Sequence, residues 1–118
     1  MYEYKAHVMR VVDGDTFDAQ VELGFNVSLK LRFRLQGIDT PEITHAKTQD
    51  EKDKGYAAKG RLSQLIEGKE VVLKSFKPNG VQGPIFEAVY NRWEAAVFVG
   101  SVNVAQQLKD EGYSKVVL

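Results

Sequence analysis

The chain has 118 residues, 43% of them hydrophobic, with sixteen Lys and Arg balanced by sixteen Asp and Glu and no cysteine. That size and apolar content suit a single domain over residues 1–118 with one modest core. The missing thiols exclude disulfides, thiolate zinc sites and a cysteine nucleophile, and zero net charge leaves no global positive field for coating nucleic acid. No run approaches the roughly 20 apolar residues needed to span a bilayer. The opening residues lack the basic-then-apolar pattern of a secretory signal. The expectation is a cytoplasmic monomer with no membrane association.

Tyr2 to Val12 is strand-like and ends at Asp13-Gly14-Asp15-Thr16, where Asp-Gly is a strong turn signal. Phe17, Ala19, Val21 and Leu23 then alternate with Asp18, Gln20 and Glu22, the pattern of a half-buried strand. Gly24 turns the chain again, and a third strand runs to Leu35. It places Leu29, Leu31, Phe33 and Leu35 on one face and Lys30, Arg32, Arg34 and Gln36 on the other. Residues 4–38 thus read as a three-stranded meander.

Beyond Gly37, Asp39-Thr40-Pro41-Glu42 makes a rigid, oxygen-rich turn, because proline fixes its own φ and pushes Thr40 away from helical geometry. The polar stretch from Ile43 to Gly55 reads as a surface loop. It leads into a helix over about Asp53 to Glu67, with Ala58, Leu62, Leu65 and Ile66 at helical spacing and Gly68 as the stop. Lys69 to Phe76 returns to a strand pattern, Lys77 to Ile85 is a long loop, and Phe86 to Val99 is a further strand region. Ser101 is positioned to cap a last helix carrying Val104, Ala105 and Leu108 and ending at Gly112. Five strands with a helix after the third and another after the last predict an α+β fold, an OB-type five-stranded Greek-key barrel with two or three helices.

The chemistry gathers at the end of the third strand. Asp39, Glu42 and Arg34 bring two carboxylates and a guanidinium to one place, suited to binding a cation together with a phosphate. Plainer readings stand beside this one. Asp13 to Thr16 is also a simple hairpin turn, and Asp39 to Glu42 is also a helix N-terminus with Asp39 or Thr40 capping and Pro41 first. Arg32 reads as a solvated strand residue, Arg92 as a surface partner of Glu87 or Glu94, and Trp93 as core or barrel rim. His7 and His45 read as surface or packed histidines, and the charged run from Lys47 to Lys54 as a solvated face.

Three separated blocks resemble the staphylococcal (thermonuclease) nuclease family, in the family's order. They are Val12-Asp13-Gly14-Asp15-Thr16, Phe33-Arg34-Leu35 through Ile38-Asp39-Thr40-Pro41-Glu42, and Tyr90-Asn91-Arg92-Trp93. The segment from Val102-Asn103-Val104-Ala105 to Gly112-Tyr113 is similar to that family's closing helix. The resemblance implies a calcium-dependent nuclease acting on single-stranded DNA or RNA. It makes Asp15 and Asp39 calcium ligands with the Thr40 carbonyl a third, Glu42 the residue that holds or activates water, and Arg34 and Arg92 the phosphate grip, with Tyr90 beside the nucleotide. The sequence departs from the family pattern at Ala88-Val89-Tyr90-Asn91-Arg92, where an Asp and a Lys are lost and Asn91 replaces a glycine. A noncatalytic OB-fold module binding single-stranded nucleic acid is the alternative reading, and a protein-interaction barrel with a vestigial site is another.

Overall fold

The computed structural model describes residues 2–75 and 93–115. The period-2 alternation of the first third of the chain becomes three antiparallel strands, β1 (Tyr2–Asp13), β2 (Thr16–Gly24) and β3 (Val27–Leu35). β4 (Glu70–Ser75) pairs with β1, and β5 (Trp93–Val99) pairs with β4. β5 then meets β3 in parallel, with Phe33 opposite Trp93, Arg34 opposite Glu94 and Leu35 opposite Ala95. That last pairing closes five strands into a barrel, and β6 (Val102–Asn103) adds a short hairpin to β5. The architecture is the expected α+β, OB-type barrel, with two helices among the described residues.

Both β-hairpins of the meander turn on two residues, for different reasons. At the first, Gly14 and Asp15 connect the paired Asp13 and Thr16. At the second, Phe25 and Asn26 have φ of 53° and 62°, the left-handed pair that matches the twist of a tight hairpin. This second hairpin corrects the expected apolar face of β3. Phe33 and Leu35 are buried, but Val27 and Leu29 are exposed, together with Leu23 and the tip residue Phe25. The pattern continues past the rim of the barrel, because β5 meets β3 only over residues 33–35.

α1 (Gln49–Ile66) begins four residues before its expected start. The N-cap is Thr48, whose hydroxyl accepts the Glu51 N–H, while the Glu51 carboxylate accepts the Lys47 N–H. Thr48-Gln49-Asp50-Glu51 is a capping-box sequence, so the signal was present inside a stretch whose polarity reads as loop. The same finding removes the helix-start reading of Asp39 to Glu42, which are coil. Ala58, Leu62 and Ile66 lie four apart on the buried stripe of α1, and each fully buried Leu or Ile contributes about 1.5–3 kcal/mol.

α2 (Val104–Asp110) is capped by Asn103 rather than Ser101, the Asn103 side chain accepting the Gln106 N–H. Ser101 is used instead in the turn between β5 and β6. Val104, Ala105 and Leu108 are buried as expected, and Gly112 follows the helix at φ 86°, beyond the Glu111 cap. The expected loop from Lys77 to Ile85 and the strand from Phe86 to Arg92 lie outside the described residues. No described helix is long and apolar enough to cross a membrane.

The two helices are tied by Arg61 on α1, whose Nε and Nη2 donate to the two carboxylate oxygens of Glu111 at 2.6 and 2.9 Å. Arg61, and then Gln107, hold the Glu111 carboxyl down to about 2, from an ordinary value of 4.5. A carboxyl depressed by folding stabilises the native state above its unfolded value and stops doing so as pH falls through its folded value. In acid unfolding followed by circular dichroism, this tie should therefore be lost between about pH 4.5 and 2. An Arg61→Ala variant should be less stable at pH 7 and show a shallower fall in stability across that window.

Candidate functional site

The site is assembled around the pleat of β3. Phe17 and Phe33 are cross-strand partners whose rings stack at 5.6 Å between centroids, 21° from parallel, and anchor β2 to β3 in the core. With Phe33 facing inward, Arg34 must face outward, at the mouth of the barrel. Its backbone neighbours are fixed as well: the Leu35 N–H donates to the Asp15 carbonyl at 2.8 Å and the Gln36 N–H to the Ala95 carbonyl at 2.9 Å.

Arg34 is surrounded by carboxylates from three parts of the chain. Nη2 donates to Asp39 Oδ1 at 3.2 Å and lies 3.8 Å from Asp15 Oδ2, while Nη1 reaches Glu94 Oε1 at 3.5 Å and the Leu35 carbonyl at 3.4 Å. Asp15 and Asp39 thus converge on one nitrogen despite their separation in sequence. Asp15 is buried and held from both sides, Oδ1 accepting the Thr16 hydroxyl at 3.1 Å and Oδ2 the Thr40 N–H at 3.3 Å. The Asp39 carbonyl accepts the Lys115 N–H, so the segment after α2 fastens this coil from the far side.

Two glycines let the coil lie this close. A Cβ on Gly14 would come within 2.6 Å of Thr40 Oγ1 and 2.7 Å of Ala58 Cβ, so the first hairpin turn is wedged between the coil and α1. A Cβ on Gly55 would sit 2.9 Å from both Ile43 Cγ1 and the Pro41 carbonyl oxygen. The absent side chain of Gly55 thus makes room on α1 for residues 41–43. Thr40 Oγ1 is buried with no hydrogen-bond partner among the described residues.

A cavity of about 560 Å³ opens over this node. Its charged lining comprises Asp13, Asp15, Asp39 and Glu42 against Arg32 and Arg34, an excess of negative charge suited to a divalent cation. Its donors are oxygens apart from His45, which also lines the cavity. Among the described residues no three His, Asp or Glu side chains form a closed metal cage. Two converging carboxylates completed by carbonyl, water and ligand oxygens are nonetheless what a large, hard ion such as Ca²⁺ accepts.

Of the residues expected at the site, the fold brings Asp15, Arg34, Asp39, Thr40 and Glu42 together around one cavity. Tyr90 and Arg92 lie outside the described residues. Trp93 packs against the core, as its plainer reading has it, and His7 is an exposed residue hydrogen-bonded to Glu70 at 2.7 Å.

Two features were missed from sequence. Glu94, which the sequence offers along with Glu87 as a partner for Arg92, reaches Arg34 because β5 runs parallel to β3 at that point, while Arg92 itself lies outside the described residues. Arg32, read as simply solvated, lines the cavity and is gripped by Asp18. The signal for Arg32 was its place two residues from Arg34 on one strand face.

A protein-family model described as staphylococcal nuclease homologue matches residues 32–118, most of the chain. Comparison with curated proteins gives no match. The matched span begins after the first hairpin, so Asp15 enters the site through the fold rather than through that match.

Glycine substitutions should separate close packing from mere flexibility. Gly14→Ala forces Thr40 or α1 to move and is expected to lower stability by about 1–3 kcal/mol in urea unfolding. Gly60→Ala, on an exposed turn of α1 with nothing within 4 Å of the new methyl, should raise it by about 0.5–1 kcal/mol.

Proposed function

The chain belongs to the staphylococcal nuclease homologue family, and from that premise we propose that it hydrolyses phosphodiester bonds of single-stranded DNA or RNA with Ca²⁺, acting as a monomeric single domain. At the coarser level, a domain of this family is a nuclease or a nucleic-acid-binding module. The observation that carries the finer reading is the convergence of Asp15 and Asp39 on one nitrogen of Arg34.

In this reading Asp15, Asp39 and the Thr40 carbonyl would hold the cation, which would supply positive charge to a bound phosphodiester. Arg34 exchanges its carboxylate partners for those phosphate oxygens, where a planar, forked donor matches the geometry better than a lysine does. Arg92 is assigned as the second guanidinium and Tyr90 as a phosphate contact, on the strength of the Tyr90-Asn91-Arg92 block. Glu42, exposed on the cavity wall, orients the attacking water and takes its proton, a contribution of about 10²–10⁴-fold when a carboxylate acts as general base. Holding Asp15 between Thr16 and Thr40 keeps the cation-binding oxygens in place before any ligand arrives, which is the source of electrostatic preorganisation.

The test is cleavage of a single-stranded oligonucleotide with Ca²⁺ and then with excess chelator. Cleavage should stop on chelation. Arg34→Ala and Asp39→Ala should each lower kcat by at least about 10²-fold, the size of losing one preorganised electrostatic group, and Arg34→Lys should recover little of it. Retained binding without any cleavage would replace this reading with the noncatalytic OB-fold module.

A further inference from the structure

Arg10 on β1, Asp18 on β2 and Arg32 on β3 form a row across three adjacent strands, Asp18 being the register partner of both arginines. Asp18 Oδ1 accepts Arg32 Nε at 2.8 Å, and its Oδ2 accepts Arg32 Nη2 at 3.2 Å and Arg10 Nε at 3.1 Å. One carboxylate therefore orients two guanidiniums, with the Asp13 carboxylate as a second, more distant negative charge acting on Arg32. Arg10 is largely solvent-facing, and Arg32 lines the same cavity as Arg34, with which it shares one face of β3.

We propose that this row is a second phosphate subsite, holding the nucleic-acid backbone one nucleotide away from the phosphate gripped by Arg34. The inference rests on the nucleic-acid reading of the cavity and deepens it. Same-face residues two apart on a strand lie about 7 Å from one another, which is close to the separation of neighbouring phosphates on an extended single strand. Lys30, exposed on the same face of β3, continues the line beyond the cavity. A chain with no net positive charge has to gather its substrate locally, and an ordered line of cations leading from the reaction site along β3 does so.

Asp18 is the part that makes this a built subsite rather than two loose surface arginines. By occupying Nε and one Nη of Arg32 it fixes the plane of the guanidinium, so the ordering cost is met before the phosphate arrives. Hydrogen bonding from Arg32 holds the Asp18 carboxyl below the usual carboxylate range, so the clamp stays ionised at neutral pH.

Binding of a fluorescent twelve-nucleotide oligo(dT) is measured by anisotropy over a salt series, in a Glu42→Gln background that suppresses cleavage, with a thymidine dinucleotide as competitor. Arg32→Ala should weaken oligonucleotide binding about tenfold, affect the dinucleotide less, and reduce the salt slope by about one phosphate contact. Asp18→Asn, which keeps one acceptor oxygen for Arg32 Nε and so part of the clamp while removing the balancing charge, should tighten binding at low salt and steepen the slope. That is a gain that loss of folding cannot imitate. Unchanged affinity and slope in both variants, with the parent protein still binding, would overturn the subsite alone. Failure of the parent to bind either ligand would overturn the nucleic-acid reading beneath it.

Discussion

Arg34 is one cation among three carboxylates, and closing the barrel is what puts it there. Asp15 comes from a hairpin turn, Asp39 from the coil after β3, and Glu94 from the strand that completes the closure. Removing the guanidinium would leave the buried Asp15 carboxylate without its cationic neighbour in a partly desolvated place, a costly arrangement for any folded chain. The arginine thus belongs to the stability of the barrel mouth. Three carboxylates around one guanidinium leave that mouth with an excess of negative charge.

Glycine and proline shape that mouth from beneath. Pro41 stiffens the coil, and the missing side chains of Gly14 and Gly55 let the coil lie against the first turn and α1. A coil pinned in this way keeps Asp39, Thr40 and Glu42 at fixed relative positions without the hydrogen-bond ladder of a strand or helix. The tether from the Lys115 N–H to the Asp39 carbonyl makes the segment after α2 part of the same support. Sequence-distant elements with no chemistry of their own thus set how accurately the carboxylates point.

The outer face of β3 joins the site to the rest of the surface. Arg34 lies at the cavity, Arg32 is clamped by Asp18 at its edge, and Lys30 stands beyond, all on one side of the pleat, while Phe33 and Leu35 bury the other. One strand therefore anchors the core and presents the cations, and the two tasks do not compete because successive side chains point to opposite faces.

How much of this was legible in advance depended on how local the physics was. Alternation in residues 2–35, the turn at Gly14, the coil at Pro41 and the apolar stripe of α1 are properties of near neighbours, and they fixed the elements and their order. The start of α1 was equally local, written in Thr48-Gln49-Asp50-Glu51, and was obscured only because a capping box is as polar as a loop. Two motif blocks put Asp15, Arg34, Asp39 and Glu42 forward as a set, but composition and spacing carry no distances. Tertiary structure alone decided that Glu94 joins Asp15 and Asp39 around Arg34, that Asp18 clamps Arg32, and that the apolar end of the second hairpin stands clear of the core. Each of these depends on which strands become neighbours when the barrel closes. A cross-strand partner is chosen by register between segments far apart in the chain, and short-range patterns cannot encode it.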